Sequence, residues 1–309
     1  MLQFSKLNQA EKGGQMKRLL FMLLIPIALI FSTIVWPVEV NGQGAPLVLD
    51  SFVDGSGNPL VMLGGLRGSD DFIPHAAVLS KQYRTIRLQR LNSSRARLKE
   101  PLPPDYSIAT EMAGVLRTLD KLGVTGPVDL VGFSLGALIA LELALDHPNR
   151  VRTLTLAEPP AFWVVSPEEL RDTPDMRGMY DMVLTLGPKV EPTDDQLIRF
   201  RCLLGQCGLR PPEPPGPEWQ EWVSRRSAMR GLSAVGRLSG DINRLGKFRK
   251  PVLIVTGTAT ASFHRRINDI LAAHLPFAKR LELPGQHAAI LTAQDEFLKS
   301  FRTFLEQHR

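Results

Sequence analysis

Cysteine is scarce in this 309-residue chain, which has only two. That excludes a small disulfide-stapled scaffold. Cys202 and Cys207 lie five apart with no histidine or further cysteine near them, so no metal-ligand set is present, and no metal or organic cofactor is expected. The chain has no internal repeat, which removes solenoids and propellers. A hydrophobic content of 44% with 22% charged residues excludes a disordered or collagen-like chain. Gly-x-Gly-x-x-Gly does not follow the first apolar strand, and no Gly-Lys-Ser/Thr loop occurs. Dinucleotide and nucleotide-phosphate cradles are therefore not supplied.

The net charge is +6, with basic residues gathered between Lys81 and Lys99 and between Arg225 and Lys250. Neither group carries a recognition motif or interleaved aromatics, so no nucleic-acid partner is expected. Both read as solvated faces, with an anionic membrane surface as the sharper alternative.

Long hydrophobic runs are absent but for one. Leu19 to Val38 carries no charge; Lys17 and Arg18 precede it and Glu39 ends it. As a helix it would rise about 30 Å, the thickness of a bilayer's hydrocarbon core. The small residues from Val40 to Ala45 also fit a secretory signal, and Met16 begins a tidier one. Pro26 and Pro37 argue against a buried core helix. Residues 1–44 thus read as a signal peptide or an uncleaved membrane anchor with a linker, and residues 45–309 as the working domain. The expectation is export, periplasmic or extracellular, or anchoring through residues 19–38. In an oxidising compartment Cys202 and Cys207 could pair, provided that Gly205 breaks the helical turn between them.

Beyond Leu47 the pattern alternates. Leu47–Leu49, Leu60–Leu63, Tyr83–Leu88, Val128–Val131, Val151–Leu156, Val252–Val255 and Arg280–Leu283 read as strands. Helical periodicity lies between them, from Asp70 or Asp71 to Gln82, Ile108–Leu122, Leu135–Leu145, Ile267–Leu275 and Glu296–Glu306. That order predicts an α/β fold with a mostly parallel central sheet and helices on both faces. Residues from about 160 to 250 break the rhythm, with helical patches near Glu168, Gln196 and Trp219 and a proline-rich run from Pro211. They read as an inserted helical cap.

The chemistry centres on Gly132-Phe133-Ser134-Leu135-Gly136, between a strand and a helix. A sharp strand-to-helix turn needs small residues two before and two after the serine, because backbone approaches closely there. Such a turn lifts the hydroxyl to the positive end of a helix dipole.

With these motifs the chain resembles the α/β-hydrolase fold superfamily from about Leu47 onward. Gly64-Gly65-Leu66-Arg67-Gly68-Ser69 resembles its oxyanion loop, with Gly64 where a His is usual. Gly132–Gly136 resembles the nucleophile elbow, His147–Val151 the turn into the next strand, and Pro284-Gly285-Gln286-His287 the loop that delivers the histidine. The resemblance implies a serine hydrolase with Ser134 as nucleophile, His287 as base and the backbone N–H groups of Leu66 and Leu135 as oxyanion donors.

The acid departs from the family's commoner pattern, an Asp after the seventh strand. Here that loop reads Thr256-Gly257-Thr258-Ala259-Thr260-Ala261-Ser262, without a carboxylate. Glu158, at the end of the strand after the nucleophile helix, is the favoured acid; Asp269 and Asp241 are the alternatives. His75, His147, His264, His274 and His308 read as structural or exposed. The expected substrate is a small-molecule ester or thioester, small or apolar, cleaved through an acyl-enzyme. Perhydrolysis, carbon–carbon hydrolysis, lyase or peptidase chemistry on the same triad is the rival, and a non-catalytic binding protein the second.

Overall fold

The structure is a computed structural model, and it describes residues 47–206 and 217–309. The expectations for residues 1–44, for Cys207 and for the proline-rich residues 211–216 lie outside the described residues. Among the described residues no helix is long and apolar enough to cross a membrane.

Among the described residues, seven strands form one sheet: β1 (Ser51–Asp54), β2 (Pro59–Leu63), β3 (Arg84–Leu88), β4 (Val128–Phe133), β5 (Val151–Ala157), β6 (Val252–Gly257) and β7 (Ala278–Leu283). Their order is β1-β3-β2-β4-β5-β6-β7. Only β1 runs antiparallel, against β3; the other pairs are parallel. Every residue of β4 and β6 is buried. That is why they read as largely apolar runs, as strands covered on both faces do, the exception being Asp129 in β4, which pairs with Arg152.

Twelve α-helices are described: α1 (Ile73–Leu79), α2 (Leu91–Arg97), α3 (Ile108–Lys121), α4 (Leu135–Asp146), α5 (Pro167–Asp172), α6 (Pro174–Thr185), α7 (Asp194–Arg201), α8 (Pro217–Ser224), α9 (Ser233–Arg237), α10 (Ser262–His274), α11 (Ala289–Thr292) and α12 (Gln294–Gln307). The two-residue period of the strands sorts the core into two layers. Val61 and Leu63, Val128 and Leu130, and Val252 and Ile254 pack with α3, α4, α10 and the inserted helices. Leu60 and Met62, Val131 and Phe133, and Leu253 and Val255 pack with α1, α11 and α12. In α4, ten of the twelve residues are buried, as befits a helix that is apolar all round.

Helices α5 to α9 fill the insertion between β5 and β6. Local chemistry sets their starts. The Ser166 hydroxyl accepts the Glu169 N–H at the head of α5, and Thr193 and Gln196 form a reciprocal capping box at α7. Pro167 and Pro174 sit in first turns, where a missing N–H costs nothing. Past α7, residues Cys202–Gln206 form a π-turn in which Gly205 takes a left-handed φ of 84°. Cys202 is disulfide-bonded.

Several elements differ from the sequence expectation. The first strand is Ser51–Asp54 rather than Leu47–Leu49. Leu49 is buried, but its N–H is donated to the Thr118 hydroxyl at 2.8 Å instead of to a strand. Helix α2 has no apolar period to betray it. The distant Glu111 carboxylate caps it, accepting the N–H groups of Leu91 and Asn92 at 2.9 and 3.1 Å. Helix α10 begins at Ser262, ahead of the Ile267 start that apolar spacing suggests.

The tightest contact between sheet and helix is at Gly136, in the first turn of α4. A Cβ there would lie 2.0 Å from the Leu63 carbonyl oxygen and 2.5 Å from that of Gly64. Neither backbone group is free to move aside. Gly136→Ala is therefore expected to cost about 1–3 kcal/mol by overpacking. Equilibrium denaturation measures it, and a variant as stable as the parent would contradict this packing.

Candidate active site

Ser134 follows β4 and precedes α4, at φ 52° and ψ −123°. A non-glycine residue there carries strain of about 1–3 kcal/mol, so its surroundings must enforce it. They do so through hydrogen bonds and close packing. The Ser134 N–H is donated to the Ala157 carbonyl at 2.9 Å, and the Ser134 carbonyl accepts from Ala137 and Leu138 at 2.9 and 3.1 Å. A Cβ on Gly132 would lie 2.5 Å from the Ala137 Cα, so only glycine allows the turn to close.

His287, in the loop after β7, is buried. Its Nε2 lies 3.0 Å from the Ser134 Oγ, and its Nδ1 lies 2.7 Å from Glu158 Oε2. A carboxylate only accepts, so Nδ1 carries the proton and Nε2 is left to accept the serine O–H. Glu158 also sits at positive φ, 48°. Its side chain is buried and its other partners are the Gly257 N–H at 2.8 Å and the Thr260 hydroxyl at 2.7 Å. The loop after β6 thus supplies donors to an acid that comes from β5. Asp269 and Asp241 are engaged elsewhere. Asp269 pairs with Arg280, and Asp241 caps a short helix through the Asn243 N–H.

The loop after β2 lies against the serine. A Cβ on Gly65 would lie 3.3 Å from the Ser134 Cβ. At Gly64, where the resemblance leads one to expect a His, a Cβ would lie 1.9 Å from the Gly68 carbonyl oxygen, so no side chain fits. Arg90 fixes this loop from below. It is fully buried, donating from Nε to the Gly64 carbonyl at 2.9 Å and from Nη2 to the Gly65 carbonyl and the Ser93 hydroxyl. The Gly65 N–H is donated to Asp71 at 2.7 Å. Carbonyl and N–H point opposite ways across a trans peptide, so anchoring the Gly65 carbonyl turns the Leu66 N–H away from Arg90. Leu135 N–H stands at the start of α4, where helix N–H groups have no internal acceptor.

Three buried residues escaped the sequence reading, Arg90 and His264 at the site and Arg230 away from it. Arg90 belongs to the basic group read as a solvated face, and its complete burial corrects that reading. Arg230, in the second basic group, is also buried, donating to the Glu100 carbonyl at 2.9 Å. His264, read as structural or exposed, is buried with its ring 4.2 Å from the His287 ring and 13° from parallel. No sequence signal marks either role, because both depend on which loops meet in space.

Above Ser134 opens a cavity of about 370 Å³. Its wall is mostly apolar and comes largely from the insertion, including Phe162, Met179, Val183, Phe200 and Trp222. Ser134, His287 and Leu66 also line it. Nearby, ligand atoms of Glu158, His264 and His287 lie within 4.8 Å of one another. A metal ion sits about 2.0–2.1 Å from a ligating nitrogen, on a lone pair that lies in the ring plane. Two stacked, nearly parallel planes do not converge on such a point, so these rings would have to turn before sharing one.

The model of the family described as the alpha/beta hydrolase fold matches residues 58–183. A Shigella flexneri protein named "Putative carbamate hydrolase RutD" is 33% identical over 247 residues, which span 77% of this chain and 87% of that one. The chain belongs to the α/β-hydrolase fold family. Members of this fold give the structural matches too. A Mycobacterium tuberculosis protein, Rv0554, matches with a TM-score of 0.65 at 17% identity, over 84% of this chain and 94% of that one. An enol-lactonase from Burkholderia xenovorans matches with a TM-score of 0.56 at 20% identity, over 84% and 96%. As an α/β hydrolase the chain is an enzyme.

Two buried histidines give this α/β hydrolase a pH signature. Burial pushes the His264 ring well below its ordinary value of 6.5, helped by its neighbour His287. Burial also lowers His75, whose Nε2 is 3.0 Å from the Ile290 carbonyl. Both stay neutral in the fold where an unfolded chain takes up protons. The unfolded state therefore binds more protons below about pH 6.5, and stability falls as pH drops through that value. Denaturation midpoints are expected to decline from pH 7.5 to 5.5, less steeply in His264→Phe. A flat profile in the parent would contradict this.

Proposed function

We propose that the chain is a serine hydrolase that cleaves an ester or thioester of a small or apolar substrate. The observation that carries this reading is the hydrogen-bonded series Ser134–His287–Glu158 at the floor of a mostly apolar cavity. A serine hydroxyl is a weak nucleophile until a base takes its proton. His287 Nε2 stands where it can accept that proton as Ser134 Oγ attacks the acyl carbon. Glu158 holds the ring in the tautomer that leaves Nε2 free and stabilises the imidazolium that forms. The carbonyl oxygen gains negative charge at this step. The N–H groups of Leu66 and Leu135 receive it, and neither needs a polar side chain to do so.

His287 then gives its proton to the leaving alcohol or thiol. Water enters, loses a proton to His287, and attacks the acyl-enzyme by the same route in reverse. The acid is released and Ser134 regains its proton. Each bond made or broken passes through groups of this chain.

The relatives' name raises carbamate cleavage as a second reading. Attack on a carbamate carbonyl would use the same groups. The mostly apolar wall suits a carbamate ester with an apolar substituent, while Arg67 and Arg225, which also line the cavity, could meet the charge of a free carbamate ion. Export or anchoring through residues 19–38 belongs to this proposal too and rests on the sequence.

A fluorophosphonate probe and a panel of p-nitrophenyl esters, with an apolar carbamate ester added, test the reading. The parent is expected to take one label on Ser134, and Ser134→Ala to take none and turn over nothing. Glu158→Gln is expected to lower kcat by about 10²–10⁴ while remaining folded. A parent that resists labelling, or a fully active Ser134→Ala, would end this reading. Near-normal turnover in Glu158→Gln would remove Glu158 from it.

A further inference from the structure

His264 is a buried titratable side chain that the proposed reaction leaves without a task. Its ring lies 4.2 Å from that of His287, 13° from parallel, and 4.1 Å from that of Phe263. Phe263 in turn stacks on Phe162 at 5.9 Å and 17°. Four aromatic rings thus run in series from the inserted segment to His287. Phe133, beside Ser134, also packs on His287 at 5.0 Å. Neither nitrogen of His264 has a hydrogen-bond partner. The contacts this ring makes are therefore through its faces. His287 and Glu158 are the titratable groups beside it, and Arg67, Asp71 and Arg225 line the same cavity.

We infer that His264 is a positioning residue for the reaction, acting through the face it presents to His287. This rests on the serine-hydrolase reading above. When Ser134 gives up its proton, His287 becomes an imidazolium whose face is covered by a buried neutral ring. A cation over a neutral π face is stabilised, more strongly when desolvated. The neighbour must itself stay uncharged, and burial keeps His264 so. The stack also fixes the plane of His287. Its Nδ1 has to meet Glu158 while its Nε2 meets Ser134, and a ring free to tilt would lose one or the other. Since the contribution appears only as His287 gains charge, it belongs to kcat more than to KM.

The test compares three chains: the parent, His264→Phe, which keeps an uncharged aromatic face, and His264→Leu, which fills the space without one. Fluorophosphonate labelling at Ser134, kcat, KM and the acidic limb of the kcat/KM pH profile are measured for each. His264→Phe is expected to keep kcat within about threefold. His264→Leu is expected to lose about tenfold in kcat with KM little changed, and its acidic limb to move about one pH unit lower. The limb moves down because removing the π face destabilises charged His287. Equal kcat and an unmoved limb in His264→Leu would overturn the inference. So would a loss in His264→Phe as large as in His264→Leu, because packing alone would then explain both. Should His264→Leu not fold, His264→Met takes its place, as an unbranched side chain that adapts to irregular space. A parent that takes no label defeats the serine-hydrolase reading instead, so the two failures are distinct.

Discussion

One buried carboxylate ties the working parts of this α/β hydrolase together. Glu158 extends from the end of β5 and accepts from three directions. These are the N–H of Gly257 at the end of β6, the hydroxyl of Thr260 beyond it, and the ring of His287 after β7. Three neighbouring strand ends thus meet at one side chain. An ionised carboxylate without partners would be very costly at this depth. Its partners therefore do structural as well as chemical work, and removing any one leaves the others imperfectly satisfied. Both Glu158 and Ser134 adopt positive φ. The backbone is bent away from its easy conformations at the two places where a side chain must reach the His287 ring, and the sheet bears that strain.

Close approach is the second constraint. The serine turn closes onto α4 only because Gly132 lacks a side chain, α4 sits against β2 only because Gly136 does, and the neighbouring loop folds on itself only because Gly64 does; a Cβ at any of the three would collide with backbone. Arg90 and Asp71 then fix the loop that this closeness brings to the serine. The departure at Gly64 from the family's usual His becomes intelligible here. The 64–68 turn closes so tightly that the Gly68 carbonyl occupies the space a side chain would need.

Much of this was legible in the chain itself. The serine turn announces itself because its geometry demands small residues at fixed spacing. The strands of the sheet centre are visible as apolar runs because both their faces are covered. Glu158 stands out by its place at a strand end, but choosing it over Asp269 and Asp241 requires the strand order. That order sets β5, β6 and β7 side by side and so brings the loop of His287 to Glu158. Helix α2 stays hidden because Glu111, twenty residues away, caps it. Arg90 looks like its exposed neighbours in sequence, and only the folded loops around it explain its burial. His264 falls at the edge of a helical pattern, and nothing local says that His287 will stack on it.

The central claim is that Glu158 fixes the tautomer and direction of His287 so that Nε2 is free to receive the Ser134 proton. Nitrogen-15 NMR of the His287 ring reads this directly in the resting enzyme at neutral pH. The account predicts a proton on Nδ1 and a bare Nε2, with that preference weakened or lost in Glu158→Gln. A proton resident on Nε2 in the parent, or a ring spectrum indifferent to the loss of the Glu158 carboxylate, would contradict it.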